Sequence, residues 1–295
     1  MTDMAHHGKD RDRRLLSREV TGTVAVLAHE RDFAAMRRYG SFPLFDDHAA
    51  YLRQMERLLR TRTARGTHTS VALFDPVRYE EFCAEERLDP DTPASRNRYT
   101  AEVAAAGTTV VYEGEPIRRL LPRLVNETAQ QATWEYASDL LARTGDCTSC
   151  GEDVGQAAFA RATRALRRIV EAFGGWSRHH HLVCTVPRPG GVPLVGVLDI
   201  DVDACGTVEV GEADALVFCT VVAAGLTVEH SGAIVLRTLT GATETVCGWG
   251  MADGALRPLT EGEVFAAYCT DIVTGEPVPP EQGVVYREAP EIDLE

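Results

Sequence analysis

Short apolar runs alternate with amphipathic segments in the first half of the chain. The runs TVAVLAHE at 23–30, TSVALFDP at 69–76 and TTVVYEG at 108–114 are rich in β-branched residues and are typical of buried strands. The segments between them have apolar residues at helical spacing, and Asp75 followed by Pro76 is typical of a helix start. The order strand, helix, strand, helix, strand predicts an α/β layer domain at 21–145. We expect it to consist of parallel βαβ units with at least three strands.

The second half has a mixed pattern. One amphipathic helix is clear because its apolar positions recur at steps of three and four, at Phe159, Ala162, Leu166, Ile169 and Phe173. HHHLVCTV at 179–186 and GVPLVGVLDIDVD at 191–203 predict strands, whereas GEADALVFCTVVAAG at 211–225 fits either a buried helix or a strand. Thr260 and Glu263 have capping-box spacing before a final helix. We therefore expect a smaller α+β domain at 146–295, a disordered segment at 1–20, and a tail extended over the surface.

The net charge of −14 is concentrated towards the C-terminus. Residues 181–295 have four basic and eighteen acidic side chains, whereas residues 1–180 have equal numbers of each. An acidic surface repels phosphate backbones, so it disfavours nucleic acid and favours a protein partner with a basic surface. The same charge also serves solubility. Nucleic-acid binding is left to the polar side of the amphipathic helix, although solvation of this side or its docking on the acidic region is favoured for its arginines: Arg161, Arg164 and Arg168.

Composition bears on several other classes of protein. No run approaches the ~20 apolar residues of a spanning helix, and the first residues lack the apolar core of a secretory signal. We therefore expect a cytoplasmic protein without membrane contact. The eight widely spaced cysteines do not suggest a disulfide scaffold. Lys9 is the single lysine among 30 basic residues, which argues against Schiff-base chemistry and is typical of a high-GC bacterial genome.

Two cysteines at zinc-knuckle spacing form the sharpest motif in the sequence. In CTSCG, Cys147 and Cys150 are separated by two residues and followed by Gly151, a spacing that turns both sulfur atoms towards one metal ion. A structural zinc site needs two more ligands. HHHLVC supplies candidates, because strand alternation places His179 and His181 on one face, whereas a bend would allow His181 with Cys184 instead. A redox pair and unligated cysteines remain as alternatives.

Two further groups of polar residues have weaker patterns. If the strands are parallel, His29, Glu30, Asp75 and Glu113 lie at neighbouring strand ends, where acid-base or metal-assisted phosphoester chemistry is feasible. Each of them also has an ordinary role at a cap or a turn. In LDIDVD, a Mg²⁺ site on one face of a strand is disfavoured, because the same alternation is typical of any half-exposed strand: Asp199, Asp201 and Asp203.

No recognised catalytic motif is present, so the sequence favours a protein that is not an enzyme. We expect a cytoplasmic accessory or regulatory protein that acts through protein–protein contacts and is stabilised by structural zinc. The alternative is an enzyme acting on a nucleotide or a phosphoester at the strand ends of the α/β domain.

Overall fold

The computed structural model forms two compact units, residues 1–131 and residues 132–295. The description that follows covers residues 22–105, 108–173, 178–188, 190–227, 232–241, 243–252, 254–269 and 276–294. The expectation for residues 1–20 therefore lies outside the described residues. None of the described helices has both the length and the apolar character needed to cross a membrane.

The first unit is built around a three-stranded mixed sheet. Its strands, in the order β1-β2-β3, are β1 (Gly22–Val26), β2 (Thr69–Leu73) and β3 (Val110–Val111). The helices in this part are α1 (Glu30–Met36), α2 (His48–Ala64), α3 (Pro76–Glu85) and α4 (Pro93–Ala105). Strand β2 is buried on both faces, as expected of the central strand of a layered α/β unit.

The expectation of parallel units holds for two strands and is wrong for the third. Strands β1 and β2 are parallel, but β3 pairs antiparallel with β2, and the amide of Tyr112 donates to the carbonyl of Thr69. A hydrophobic run has the same period in either direction, so the sequence pattern could not distinguish the two arrangements. The core of this unit is formed by residues with no exposed area, including Val26, Leu59, Val71, Tyr79, Leu120 and Leu124.

Helix α5 (Ile117–Ala142) continues through Pro122, where the sequence indicated a kink or a break. The division between the two units falls within α5. Asp75 acts as the expected N-cap of α3, because its carboxylate accepts hydrogen bonds from the amides of Val77 and Arg78.

The second unit is built around a larger sheet with two long helices on one face and a short helix on the other. The sheet order is β10-β8-β7-β4-β5-β6, with β9 also paired to β8, and only the β10–β8 pair is parallel among the described strands of this sheet. These strands are β4 (Arg178–Val186), β5 (Leu194–Val202), β6 (Val208–Val210), β7 (Gly232–Thr240), β8 (Thr243–Ala252), β9 (Ala255–Pro258) and β10 (Val284–Tyr286). The helices are α6 (Val154–Phe173), α7 (Glu212–Thr227) and α8 (Glu261–Tyr268).

The segment that was ambiguous in the sequence forms helix α7. It packs against β4 and β5 on one side and against α6 on the other. Every residue from Phe218 to Leu226 is buried, which explains why the segment is apolar around its whole circumference and lacks a helical period.

The end of the C-terminal tail is packed into the core, so the expectation that the tail lies on the surface is wrong there, although residues 276–283 are exposed. Ala289, Ile292 and Leu294 are buried in the main core of the second unit. The indole Nε1 of Trp249 donates a hydrogen bond of 2.8 Å to the carbonyl of Pro290. The tail is proline-rich and acidic, but the apolar side chains near its end face inwards.

Candidate functional site

A cavity of about 490 Å³ lies beside β1 in the first unit. We call it the β1 groove, and it is lined by residues of β1, α2, α4 and the 42–45 loop. Its apolar wall consists mainly of Met36, Phe42, Phe45, Tyr51, Met55 and Phe74. The rings of Phe45 and Tyr51 are 5.4 Å apart in an edge-on arrangement. This volume lies within the range of ~300–1,000 Å³ that is usual for ligand pockets.

Strand β1 presents backbone hydrogen-bonding groups to this groove. It lies at the edge of the sheet and pairs only with β2 among the described strands. The amide of Gly22 bonds to His68 and the carbonyl of Val26 bonds to Phe74, so the even-numbered residues face β2. In an extended strand, alternate residues direct their N–H and C=O groups to opposite sides. The backbone groups of Thr23 and Ala25 therefore face the free edge.

Side chains of α2 hold the end of β1. The amide of Leu27 donates to the hydroxyl of Tyr51 at 3.1 Å, and Nε2 of His48 lies 2.9 Å from the carbonyl of Leu27. Burial raises the pKa of Tyr51 to about 12, so its hydroxyl stays neutral at physiological pH. The free edge of β1 therefore ends at Leu27, where these two side chains replace a neighbouring strand.

Two arginines line the β1 groove without an ion-pair partner in the described part of the chain. Arg96 donates to the hydroxyl and the carbonyl of Ser41 at 2.9 Å each, which are neutral groups. Arg62 is half-buried and lies beside Gly22, and its guanidinium makes no side-chain hydrogen bond to a described residue. Both guanidiniums are positive at any physiological pH. The β1 groove is therefore an apolar cavity lined by two arginines; Arg96 has the carboxylate of Asp91 nearby, and Arg62 forms no ion pair with a described residue.

The loop that closes one end of the groove is held by a carboxylate. Asp91 accepts hydrogen bonds from the amides of Ser41 and Gly40 at 2.7 and 3.0 Å. The hydrogen bonds from Ser41 lower the pKa of the Asp91 carboxyl, and the nearby charge of Arg96 adds to the effect. The charged form of Asp91 thus fixes the loop from which Phe42 and Phe45 extend into the groove.

The strand-end residues predicted as a catalytic cluster are divided between the two ends of the first sheet. His29 and Asp75 follow the parallel strands β1 and β2, and Glu30 begins α1. Glu113 follows β3, which is antiparallel, so it lies at the opposite end of the sheet from Asp75. The carboxylate of Asp75 is already bonded to the first amides of α3. The convergence expected of this set is wrong because it required a parallel third strand.

Cys147 and Cys150 lie in a tight, exposed turn. The amide of Cys147 donates to the carbonyl of Glu152, and the amide of Gly151 donates to the carbonyl of Cys147, both at 2.8 Å. Gly151 has a φ of 74°, a backbone conformation that favours glycine. The Ser149 hydroxyl and the backbone amides of Ser149 and Cys150 lower the pKa of the Cys147 thiol to about 6. Cys147 is therefore mainly a thiolate at neutral pH.

The residues expected to complete a zinc site lie elsewhere in the second unit. His179 and His181 share the outer face of the sheet, as alternation predicts, but Asp201 and Asp199 of the adjacent strand β5 are their neighbours. Nδ1 of His179 is 2.8 Å from Asp201, and Nδ1 of His181 is 2.6 Å from Asp199. No three histidine, cysteine or acidic residues in the described part of the chain converge on a metal position.

Cys184 and Asp203 are occupied by structural roles. Cys184 faces the helices and is completely buried, and this burial raises the pKa of its thiol well above the usual range. Asp203 accepts hydrogen bonds from the amides of Cys205 and Thr207 at 2.8 Å and shapes the turn after β5. Asp203 therefore stabilises a turn, whereas Asp199 and Asp201 bond to histidines.

Three arginines of helix α6 were considered for nucleic-acid binding. Two of them instead bond to backbone carbonyls in the C-terminal part of the second unit. Arg161 donates to the carbonyl of Gly254 at 2.6 Å, and Arg164 donates to the carbonyl of Leu294. Arg168 forms an exposed ion pair of 3.3 Å with Glu171. Among the interpretations of this helix face, docking against the C-terminal region agrees with these contacts, although the acceptors are carbonyls and not carboxylates.

A second cavity of about 630 Å³ lies in the second unit. Four threonine hydroxyls, a thiol and an arginine line part of it: Thr238, Thr240, Thr243, Thr245, Cys247 and Arg287. Arg287 is exposed there beside Glu288, and the row of hydroxyls is neutral. This cavity lacks the combination of free strand edge and unpaired cations that marks the β1 groove.

Sequence reasoning missed the residues that define the β1 groove. Arg62 and Arg96 lie in helices whose other arginines are solvated, so nothing in the pattern separates them from their neighbours. The position of β1 at the sheet edge follows from the strand order, which no local pattern encodes. The one position in the sequence that relates to the groove is Gly22. A Cβ atom at this position would lie only 3.0 Å from the guanidinium of Arg62, so a glycine leaves room for that side chain.

Part of the chain matches the profile of a protein family. Residues 11–115 match the profile of a family described as a domain of unknown function (DUF8829). The match spans all three strands of the first sheet and α1 to α4, and it includes every residue that lines the β1 groove. Searches of curated proteins and of solved structures find no match.

Proposed function

We propose that this protein is an accessory protein that binds an extended, acidic peptide segment of a partner in the β1 groove. The observation that carries the proposal is the free edge of β1 beside an apolar cavity with two arginines that lack ion-pair partners in the described chain. The segment would pair with β1 as an additional strand. Backbone hydrogen bonds would supply affinity, and the groove would select the side chains.

The backbone groups of β1 suit a peptide better than a small molecule without amides. Thr23 and Ala25 each direct one donor and one acceptor to the free edge, and the repeat of an added strand matches that spacing. Aromatic and thioether side chains line the wall on which the alternate side chains of the peptide would pack. The proposed interaction therefore uses every polar group that β1 presents there.

The charge of the groove determines which peptide is favoured. Arg62 and Arg96 line the groove, and a carboxylate on the ligand would supply the direct ion-pair partner that neither has among the described residues. Guanidinium groups bind carboxylates through paired hydrogen bonds, which are stronger than neutral ones. A segment with one or two acidic residues among apolar ones is therefore expected.

The proposal can be tested with a library of random short peptides displayed on phage and selected on the full chain. Enriched peptides should be acidic and apolar, and Arg62→Ala should weaken their binding about tenfold, as loss of a charged hydrogen bond predicts. Methylation of alternate backbone amides in the peptide should abolish binding, since strand pairing needs those donors. Arg65→Ala is the matched control, because Arg65 ends the same helix and does not line the groove.

Other outcomes would contradict strand addition. If selection on the wild-type chain enriches no peptide over selection on Arg62→Ala, the groove has no such ligand. If backbone methylation leaves affinity unchanged, the mode of binding is wrong. Ala25→Pro gives an independent test, because proline is tolerated at an edge position whose N–H lies outside the ladder but removes the donor that the peptide needs.

The same selection tests the proposal of a partner with a basic surface. That proposal is supported by exposed carboxylates on adjacent strands, where Asp201 lies opposite Glu209 and Asp199 is two residues away. Enrichment of basic peptides whose binding is lost in Asp199→Asn together with Asp201→Asn would support it. If the selection enriches no basic peptide, the proposal of a partner with a basic surface is contradicted.

A further inference from the structure

The turn at Cys147 and Cys150 has the geometry of half a metal site. Two backbone hydrogen bonds close the turn, between Cys147 and Glu152 and between Gly151 and Cys147. The hydroxyl of Ser149 lies 3.0 Å from the sulfur of Cys147. A hydrogen-bonding group beside a cysteine sulfur orients it, as hydrogen bonds around metal ligands do. Both backbone hydrogen bonds lie within residues 147–152, so the turn is held by contacts among its own residues.

The turn is also accessible. Residues 148–153 are exposed, and Cys150 is exposed while Cys147 is half-buried. Tetrahedral zinc in a structural site takes four ligands, and this turn supplies two. Within the described residues no third histidine, cysteine or acidic residue joins them in a group able to hold a metal ion.

We propose that Cys147 and Cys150 bind zinc together with the same two cysteines of a second copy of this chain. A two-fold axis through the metal ion would then generate a site of four thiolates, which is a closed set for structural zinc. The proposal is independent of peptide binding in the β1 groove, because it involves a different unit and different residues.

The charges around the turn determine how such a dimer would behave. Asp146, Glu152 and Asp153 lie in or next to the turn, so two copies brought together repel each other. The zinc ion provides the attraction, and the acidic residues raise its local concentration. The dimer should therefore depend entirely on the metal and dissociate when the metal is removed.

The test measures zinc content and mass of the untagged, reduced protein in one experiment. Protein equilibrated with zinc and separated by size should run at twice the chain mass with half a zinc ion per chain. Addition of a chelator should return it to the chain mass. Cys150→Ser should lose both the zinc and the dimer, whereas Cys205→Ser should retain both, because Cys205 is an exposed cysteine in another turn.

Cobalt substitution reports the ligands directly. The absorption of cobalt bound to the wild-type protein should show four thiolates per metal ion, which distinguishes the shared site from two isolated pairs. One zinc ion per monomeric chain would overturn the proposal, since the ligands would then come from a single chain. A dimer that survives chelation, or reduced protein that binds no zinc, would also overturn it, and the latter would leave a dithiol with redox chemistry.

Discussion

The pKa of the cysteine thiol differs between positions in this chain because the surroundings of the thiol differ. Cys147 lies in an exposed turn where amides and a hydroxyl stabilise its thiolate, and its pKa is lowered to about 6. Cys219 lies in helix α7, where burial raises the pKa of its thiol to about 11. Hydrogen bonding to the charged form and desolvation act in opposite directions, and the tertiary position decides which one dominates.

Alkylation of the reduced, metal-free protein with iodoacetamide tests this difference. The rate at Cys147 should rise with pH with a midpoint of about 6, because the thiolate is the reacting species. Ser149→Ala should raise the midpoint, since it removes the hydroxyl that contributes most to the lowered pKa. Peptide mass mapping identifies the alkylated residue, and Cys205→Ser serves as the control. A midpoint above 8 at Cys147 would contradict the geometry of the turn.

Helix α8 is specified at its start by local sequence. The Thr260 side chain accepts from the amide of Glu263, and the Glu263 carboxylate accepts from the amide of Thr260. This is the capping box that the spacing predicts. The helix then buries Val264 against Val246 and Tyr286. An eight-residue helix is marginal alone, so the cap and this apolar contact together stabilise it.

Loss of the cap should destabilise the second unit measurably. Thr260→Ala should lower the free energy of unfolding by about 1 kcal/mol, which is typical of an N-cap. Urea unfolding followed by circular dichroism measures this change. Glu261→Gln is the control, because Glu261 lies in the same first turn without taking part in the capping box. Equal stability of the two variants would contradict the role of the box.

The same box has a pH dependence with a defined sign. Hydrogen bonds from Arg257 and then from Thr260 lower the pKa of the Glu263 carboxyl to about 2 from its usual 4.5. Because the folded pKa lies below the unfolded one, the contribution to stability is complete above pH 4.5 and is lost as the pH falls towards 2. A carboxyl NMR titration of Glu263 should show this midpoint, and Thr260→Ala should raise it.

At the scale of the whole molecule, the C-terminal tail completes the core of the second unit. Ile292 and Leu294 are buried, and Arg164 of α6 bonds to the carbonyl of Leu294. Trp249, which has no exposed area, bonds to the carbonyl of Pro290. The tail therefore covers the apolar face that β8 and α6 would otherwise expose.

Truncation of the tail side chains should show this contribution. Ile292→Ala and Leu294→Ala should each lower the free energy of unfolding by about 2 kcal/mol or more, as expected for buried aliphatic side chains. Glu291→Ala, at an exposed position directly before the buried Ile292, should have little effect. Urea denaturation of the three variants provides the comparison. A tail lying on the surface would make all three equivalent.

Local sequence determined several elements of this protein because local physics suffices for them. The cap at Asp75, the capping box of α8 and the alternation of His179 and His181 each depend on residues within one turn or one strand. The amphipathic helix α6 was visible for the same reason. The unequal charge of the two halves also follows from counting residues alone.

The tertiary structure decided what depends on residues far apart in the chain. The direction of β3, the edge position of β1 and the partners of His179 and His181 follow from strand order, which hydrophobic period does not contain. Helix α7 lost its period because it is buried on all sides. The β1 groove combines an edge strand with Arg62 and Arg96 from two separate helices, so its chemistry exists only once the chain has folded.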